Sequence, residues 1–424
     1  MNPALPAGAG FSYREHRLHC EDVALDTLAE RYGTPLYVYS RRSIEDAYAA
    51  YALALTGRSA LVCYAVKANS NLAVLDILAR RGAGFDIVSG GELARVLAAG
   101  GDPKKIVFSG VGKSEGEIEA ALRAGVAYFN VESAPELLRL DAVAQRLKKR
   151  ARVALRINPD IDANTHPYIS TGLKNNKFGV AYVDALTLCR TAVEKSAIEL
   201  VGLGCHIGSQ ITEIAPYVAA ADRIIDLVDT LDREKIELRH IDFGGGLGIR
   251  YRNESPPAVA DLIGALLARL DGRGHRDKTV IFEPGRSIVG NAGVLLTRVE
   301  YLKPGDSKNF AVVDAAMNDL IRPAMYDAWM DVVPVVPRLG DSRRYDVVGP
   351  VCESADWLAR DRDLTIQPGD LLAIASAGAY AMAMSSNYNS RGRPAEVMVD
   401  GASSYCVRRR ETLAELFATE SQIP

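Results

Sequence analysis

Residues 61–69 read LVCYAVKAN, an apolar run with β-branched and aromatic residues that ends on a single lysine, Lys67. Such a run predicts a buried β-strand, with Lys67 at the point where the strand leaves the core and a loop begins. Apolar neighbours withdraw the hydration that favours an ammonium group, so they raise the fraction of neutral amine that attacks carbonyls. A lysine that only reaches out to water from the end of a strand is the alternative.

This stretch is the first of eight apolar runs that alternate with amphipathic helical segments. The runs are residues 61–67, 85–89, 106–110, 128–132, 153–158, 202–208, 241–246 and 280–285. The helical segments between them are residues 71–81, 92–99, 115–124, 134–149, 181–196, 216–231 and 257–270. Eight β-then-α units predict an α/β fold, a (β/α)₈ TIM-type barrel whose chemistry gathers at the C-terminal ends of the strands. A doubly wound open sheet is the rival topology.

After Arg286 the pattern changes to strand-like runs with turns and little helix between them. These runs are residues 294–302, 310–314, 331–336, 345–348, 371–376 and 396–399. They predict a second, mainly β C-terminal domain, completed by an early strand at residues 35–39. The expected organisation is an N-terminal segment, 1–40, that contributes to the β domain, a barrel at 41–290 and a β-rich domain at 291–424.

The composition of the 424-residue chain is that of an ordinary globular protein, with 48% hydrophobic and 24% charged residues. Its 50 Lys and Arg against 53 Asp and Glu give a net charge of -3 without long blocks of one sign, which argues against a general nucleic-acid or acidic-membrane binder. Residues 1–10 lack a signal-peptide pattern and no stretch predicts a membrane span, so we expect a cytoplasmic protein with small-molecule partners. Six cysteines without a CxxC pair predict reduced thiols and no zinc site.

The ends of the predicted strands carry the residues that can do chemistry. They are Lys67 on the first strand, Asp86 and Ser89 on the second, His206 and Ser209 on the sixth, GGG at 244–246 on the seventh and EPGR at 283–286 on the eighth. In a barrel these ends converge on one mouth. Consecutive glycines leave backbone N–H groups open to an anion, and a phosphate site in this fold commonly follows strands seven and eight. Glycines that only make a tight turn are the alternative.

A Schiff-base lysine, a phosphate cradle and a histidine able to lie against a ring together point to pyridoxal 5'-phosphate. The chain resembles the fold-type III pyridoxal-phosphate-dependent decarboxylases, in the branch that acts on diaminopimelate, from about residue 34 to about residue 405. The resemblance is carried by YAVKAN at 64–69, HIGSQ at 206–210, GGG at 244–246, EPGR at 283–286, GPVCES at 349–354 and GAY at 378–380. The joint occurrence of these motifs in this order is highly specific.

The resemblance implies decarboxylation of meso-2,6-diaminopimelate to L-lysine and CO₂, a carboxy-lyase reaction at the end of lysine biosynthesis. An ornithine or arginine decarboxylase of the same fold stays open as an alternative, and so does a non-catalytic pyridoxal-phosphate-binding regulatory homologue. A homodimer with shared active sites is also implied, because in the family the Cys–Glu loop enters the site of the neighbouring subunit. The barrel would then bind the cofactor, and the second domain would serve the substrate and dimerisation.

For the cofactor, the resemblance implies that Lys67 holds it as a Schiff base and that His206 stacks on its ring. Glu283 would pair with the pyridine nitrogen and keep it protonated, because a pyridinium is a strong sink for the electrons left when CO₂ departs. The remaining implied cofactor ligands, which hold the phosphate, are Ser209, Gly245, Gly285, Arg286 and Tyr380.

For the substrate, the resemblance implies an arginine fork on the carboxylate that is not lost. The implied substrate contacts are Arg286, Arg322, Tyr326, Glu353 and Tyr380. Cys352 is the implied proton donor to the carbanion, and it completes the implied catalytic set with Lys67, His206 and Glu283.

One position departs from the family pattern. Many relatives have a histidine after Trp329, where this chain has Met330. Because Met330 lies outside the positions with an implied role, we expect it to affect packing more than activity. Asp86 and Asn69 are further candidates for orienting the cofactor region, and no metal site is expected.

Overall fold

The structure is a computed structural model that describes residues 10–162 and 176–424. Its described residues form two compact units. One unit contains residues 47–162, 176–249 and 255–287, and the other contains residues 10–46, 250–254 and 288–424.

The N-terminal elements are three short strands, a fourth strand and two helices. They are β1 (Phe11–Arg14), β2 (Arg17–Cys20), β3 (Val23–Ala24), α1 (Leu25–Tyr32), β4 (Leu36–Ser40) and α2 (Arg41–Ala54). Strands β1, β2 and β3 form a small antiparallel sheet, which the sequence pattern did not predict because each strand is too short to show alternation. Strand β4 lies within a residue of its predicted position.

A parallel barrel forms the centre of the first unit. Its strands are β5 (Ala60–Ala65), β6 (Gly84–Ile87), β7 (Ile106–Phe108), β8 (Tyr128–Val131), β9 (Ala151–Asn158), β11 (Ile198–Gly204), β12 (His240–Asp242) and β13 (Thr279–Phe282), and β10 (Val180–Ala181) adds to the side of β9. The sheet closes because β13 pairs with β5 and β8 pairs with β9, all in parallel. The predicted eight-stranded barrel is confirmed, and the open doubly wound sheet is excluded.

The helices of this unit follow the strands in alternation. They are α3 (Leu72–Arg80), α4 (Gly90–Ala98), α5 (Glu115–Ala124), α6 (Ala134–Arg146), α7 (Ala185–Glu194), α8 (Ala215–Arg233) and α9 (Val259–Gly272). Helix α5 has its predicted bounds because Ser114 and Glu117 form a capping box at its start and Gly125 ends it at φ 76°. Helix α7 begins four residues later than predicted, since β10 and a 3₁₀ turn occupy residues 180–184.

Apolar side chains from six strands fill the barrel interior. This buried cluster consists of Cys63, Val107, Tyr128, Ala154, Val201 and Ile281. Strand β5 ends at Ala65, two residues before the predicted end, so Lys67 lies in a 3₁₀ turn at Val66–Ala68 beyond the strand. The packed interior leaves the loops at the C-terminal ends of the strands as the place for chemistry.

The second unit is mainly β, as predicted. Helix α10 (Arg286–Val289) begins within the first unit. The further elements of the second unit are β14 (Gly293–Lys303), β15 (Asn309–Val313), α11 (Arg322–Tyr326), β16 (Val332–Pro334), β17 (Arg343–Val348), β18 (Trp357–Leu364), β19 (Leu371–Ile374), β20 (Ala395–Asp400), β21 (Ser403–Arg408) and α12 (Leu413–Leu416). The main sheet has the order β18-β17-β15-β14-β4-β20-β21, so the early strand β4 pairs with both β14 and β20. Strands β18 and β21 were missed, because WLARDRDL and SSYCVR are too polar to read as strands from their own pattern.

Within the described ranges, no helix combines the length and the apolar character needed to cross a bilayer.

The six cysteines are free thiols, and only Cys352 and Cys406 among them are exposed.

Candidate active site

Lys67 is positioned by the turn that follows β5. Its Nζ lies 2.5 Å from Oδ2 of Asp86, a side chain that is 1% exposed. The pairing of β5 with β6 sets Ala65 opposite Asp86, which places the carboxylate beside the turn that carries Lys67. The sequence predicted apolar neighbours for Lys67, and the structure adds a buried carboxylate that orients its amine. Asp86 is thus brought to Lys67.

His206 lies just beyond β11 and faces the glycine loop. The backbone N–H of Gly245 donates to His206 Nδ1 at 3.3 Å, so Nδ1 is an acceptor and a neutral ring carries its proton on Nε2. Removal from water, followed by the positive charges of Arg156 and Lys67, holds the pKa of His206 well below its usual value. The imidazole is therefore neutral, as a ring that stacks on an aromatic group should be.

Glu283 follows β13 and belongs to a pair of carboxyl groups that the sequence did not predict. Its carboxyl group lies within hydrogen-bonding reach of the Asp242 side chain, and Asn130 Nδ2 donates to its Oε1 at 3.2 Å. Asp242 accepts from the backbone N–H of Gly244 at 2.8 Å and from the Tyr128 hydroxyl at 2.9 Å.

The pKa of Glu283 is raised well above its usual value, first by burial and then by the charge of Asp242. Burial also raises the pKa of Asp242. Because the two buried carboxyl groups lie side by side, they cannot both ionise easily, and the pair retains a proton.

The glycine loop at 244–246 makes a close backbone crossing. A Cβ on Gly245 would lie 2.1 Å from the carbonyl oxygen of Glu283, while Gly244 and Gly246 adopt φ of 65° and 106°. The N–H of Glu283 donates to the carbonyl of Gly244 at 2.7 Å, which ties the loop to the end of β13. The glycines therefore allow a close backbone crossing, and the N–H of Gly245 is directed at His206.

Arg286 and Ser209 are brought together beside that loop. The guanidinium of Arg286, which is buried, donates from Nε and Nη2 to Ser209 Oγ at 3.3 and 3.1 Å. Gly285 packs against the Lys67 turn, because a Cβ there would lie 3.0 Å from the Cβ atoms of Ala65 and Ala68. The barrel unit thus collects Lys67, His206, Ser209, Gly245, Glu283, Gly285 and Arg286 on loops at the C-terminal ends of its strands.

In the second unit, Arg322 and Tyr326 begin and end α11. The buried guanidinium of Arg322 lies 4.5 Å from the ring centre of Tyr251, and its Nη1 lies 3.6 Å from Met330 Sδ. The position that departs from the family pattern therefore contacts an expected substrate residue. The expectation that Met330 affects packing more than activity did not foresee this contact.

Cys352 and Glu353 lie on an exposed loop between β17 and β18, also in the second unit. The N–H of Cys352 donates to Asn389 Oδ1 at 3.0 Å, and the N–H of Val351 donates to Asp356 Oδ2 at 2.7 Å, so the loop has a defined conformation. Tyr380 is partly buried and has φ of 52°, an uncommon value for a residue with a side chain.

Sequence reasoning missed Asp242, Asn130 and Tyr128 as members of the site. The available signal was the one that found the other residues, a polar side chain on or at the end of a predicted strand. Asp242 directly precedes the FGGG loop and Asn130 lies in the run at 128–132. Their partners are far away along the chain, so only the barrel brings them to Glu283.

The residues present fit pyridoxal phosphate. Oδ1 of Asp86 and Oδ1 of Asn130 are buried and have no hydrogen-bond partner among the residues that the structure describes. An unsatisfied buried acceptor costs about 1–3 kcal/mol, so a bound group with hydrogen-bond donors is favoured there. A protonated pyridine nitrogen and a ring hydroxyl are such donors, and Lys67 supplies the amine for an aldehyde.

The fold and these side chains define the class of pyridoxal-dependent decarboxylases, whose family model, described as the pyridoxal binding domain, matches residues 41–290. The chain is 61% identical to the diaminopimelate decarboxylase of Pseudomonas aeruginosa, over 98% of this chain and 99% of that protein. The crystal structure of diaminopimelate decarboxylase from M. jannaschii in co-complex with L-lysine is similar, with a TM-score of 0.94, 38% identity and 99% coverage of both chains. That of the Helicobacter pylori protein complexed with L-lysine has a TM-score of 0.90 and 43% identity, covering 93% of this chain and 99% of the other. The chain belongs to the diaminopimelate decarboxylase family.

Proposed function

We propose that the protein removes the carboxylate from one end of meso-2,6-diaminopimelate and releases CO₂ and L-lysine, with pyridoxal 5'-phosphate as cofactor. The observation that carries this proposal is the barrel mouth, where Lys67 contacts Asp86 and its charge acts on His206 and Glu283. The similarity to the diaminopimelate decarboxylase of Pseudomonas aeruginosa over the whole chain supports it. The bound cofactor would supply the sink for the electron pair of the broken carbon–carbon bond.

The chain's own residues bind and orient that cofactor. Lys67 would hold it covalently through its amine, which Asp86 orients. Neutral His206 would lie against the ring without adding a charge, and Glu283 would accept a hydrogen bond from the ring nitrogen and keep it protonated. The residues proposed to hold the phosphate are Ser209, Gly245, Gly285, Arg286 and Tyr380, supported by the buried Arg286–Ser209 contact.

The substrate side of the proposal relies on arginine and on a thiol. Arg286 and Arg322 grip the carboxylate that is retained, because a guanidinium fork matches a carboxylate in two hydrogen bonds. Tyr326, Glu353 and Tyr380 contact the remainder of the distal amino-acid group. Cys352 delivers a proton to the α-carbon after CO₂ has left, and its exposed loop leaves the thiol accessible. Ornithine and arginine have no second carboxylate for the two arginines to bind.

We further propose a homodimer in which the loop with Cys352 and Glu353 completes the site of the neighbouring subunit. The exposure of that loop in the single chain supports this arrangement. In that dimer, residues 41–290 bind the cofactor, and residues 291–424, with the segment 1–40, serve the substrate and the interface. The six free thiols suit a reducing compartment, so we place the enzyme in the cytoplasm.

The test is a CO₂-release assay of the purified chain with pyridoxal phosphate on meso-diaminopimelate, L-ornithine, L-arginine and L-lysine in parallel. We expect release from meso-diaminopimelate alone, with L-lysine as the product. Release from ornithine or arginine would keep the chemistry and reject the proposed substrate. No release from any of the four would favour a non-catalytic cofactor-binding protein.

A further inference from the structure

Asp242 and Glu283 stand at the ends of neighbouring barrel strands. Strands β12 and β13 pair in a register that sets Asp242 opposite Ile281, so Glu283 is two residues further along the next strand. Asp242 is 2% exposed, and its carboxyl group lies within hydrogen-bonding reach of that of Glu283. A hydrogen bond between two carboxyl groups needs one proton between them, because two carboxylates offer only acceptors.

The fixed donors around the pair decide which member carries the charge. Asp242 accepts from Tyr128 Oη at 2.9 Å and from the N–H of Gly244 at 2.8 Å. The fixed donor to Glu283 is the amide of Asn130, at the longer distance of 3.2 Å. Asp242 is therefore the better place for the negative charge while no cation faces Glu283, and Glu283 carries the proton.

Other ionisable groups around the pair act on the same balance. They are Lys67, Asp86, Cys63, Cys205 and the phenol of Tyr128. Lys67 lowers the proton affinity of Glu283, whereas Asp86 raises it. Burial keeps both thiols and the phenol protonated, with pKa values raised above their usual ones, so these three act as neutral neighbours.

We propose that Asp242 is a positioning residue that shares a single proton with Glu283. In the cofactor-free chain Glu283 holds this proton. When a protonated ring nitrogen faces Glu283, the proton passes to Asp242. The proton moves along one hydrogen bond, from a Glu283 oxygen to an Asp242 oxygen, so the pair keeps one proton and one negative charge throughout. This inference rests on the proposed role of Glu283.

The arrangement has a clear electrostatic consequence. A second full charge in this buried mouth would carry a large desolvation cost. With Asp242 able to take up the proton, Glu283 presents a full carboxylate to the cationic ring nitrogen while the charges of the pair and the ring sum to zero. An asparagine in place of Asp242 preserves the shape of the side chain, but it can neither take up the proton nor carry the negative charge, and it keeps only one of the two acceptor oxygens.

The proposal is tested by infrared difference spectroscopy near neutral pH on the full-length chain, with its cofactor and after its removal. A protonated carboxylic acid has a carbonyl stretching band that a carboxylate lacks. Glu283→Gln should remove one such band from the cofactor-free chain, Asp242→Asn should remove one from the loaded protein, and the double variant should remove no more than one in either state. Two bands lost in the double variant, or no band lost from the loaded protein in Asp242→Asn, would overturn the proposal.

Labelling the aspartate carboxyl groups with ¹³C locates the proton. Without cofactor the band should not respond to the label, because the proton is on Glu283. In the loaded protein the band should shift with the label, because the proton is on Asp242. The same behaviour in both states contradicts the proton transfer. The matched control, Asp319→Asn, removes another buried acid and should leave this band unchanged.

If Asp242→Asn fails to fold, Tyr128→Phe provides the test, because it keeps the ring and deletes one donor to Asp242. The pH at which the band disappears should then rise by about one to two units, since a lost hydrogen bond to a charged acceptor weakens the ionised form. An unchanged or lower midpoint contradicts the proposal. The infrared band is measured without turnover. A chain that is inactive on diaminopimelate would therefore reject the proposed function, while the infrared test of the shared proton could still be interpreted.

Discussion

Lys67 combines two demands on one side chain, an amine that forms a covalent bond and a fixed position beside Asp86. Replacing Lys67 by alanine removes the covalent attachment, so we expect loss of the visible absorbance band of the bound cofactor and loss of turnover. The absorbance spectrum of the purified variant is the measurement, with the exposed Lys104→Ala as the matched control. A surviving band in Lys67→Ala would show that another amine holds the cofactor.

Cys352 is one of two exposed cysteines, and this gives its role a clean test. We expect Cys352→Ala to lower kcat by about 10²–10⁴-fold, the usual contribution of a positioned general acid, while the cofactor stays bound. Cys406→Ala is the control, because it removes the other exposed thiol, on β21. Steady-state kinetics and cofactor absorbance are read together. Unchanged kcat in Cys352→Ala would remove it as the proton donor.

The glycine loop after β12 depends on backbone contact with the end of β13. Gly245→Ala places a methyl group 2.1 Å from the Glu283 carbonyl, and neither backbone can move cheaply. We expect a loss of about 2–4 kcal/mol in the free energy of unfolding, measured by denaturant titration, together with weaker cofactor binding.

The control for this loop is Gly264→Ala in the middle of α9, where an added Cβ meets no atom within 4 Å. Because alanine is the better helix former, we expect this change to stabilise by about 0.5–1 kcal/mol. Equal effects of the two substitutions would show that the close crossing seen at Gly245 does not matter.

The loop between β15 and α11 contains a buried acid, Asp319, whose pKa is raised from 3.8 to about 7, chiefly by burial. Between these two values the unfolded chain releases this proton and the folded chain keeps it, so stability falls as the pH rises, and it levels off above about 7. Asp319→Asn lacks this loss.

The stability of Asp319→Asn relative to the wild type should therefore grow from about pH 4 to about pH 7, by up to roughly 4 kcal/mol, and then stay constant. Thermal melting of both proteins at several pH values measures the difference. Asp306→Asn, at an exposed position, is the control. A difference that does not change with pH would show that Asp319 is ionised in the folded chain.

The proposed shared site makes a prediction about the assembly. Mixed dimers of Lys67→Ala and Cys352→Ala chains contain one site with both defects and one with neither. Random pairing gives half mixed dimers, so refolding the two variants together should restore about a quarter of the wild-type activity. A mixture of Lys67→Ala with the double variant is the control and should restore none. If the first mixture also gains nothing, each chain contains its own complete site.

Much of this protein is determined by the sequence alone. The alternation of apolar runs with helical segments predicted the barrel, because hydrophobic periodicity is a local property of each segment. Lys67, the glycine loop and EPGR at 283–286 were found in the same way, since each chemical group marks the end of a strand. The polar strands β18 and β21 were missed because their pattern is set by their neighbours in the sheet and not by their own residues.

Only the tertiary structure decided which of these groups meet. Asp86 reaches Lys67, and Asp242 reaches Glu283, because the register between parallel strands sets residues from distant parts of the chain side by side. Burial then changes their protonation, since a carboxyl group withdrawn from water and placed beside another favours its neutral form. Register and burial are properties of the closed barrel, and no single stretch of the sequence contains them.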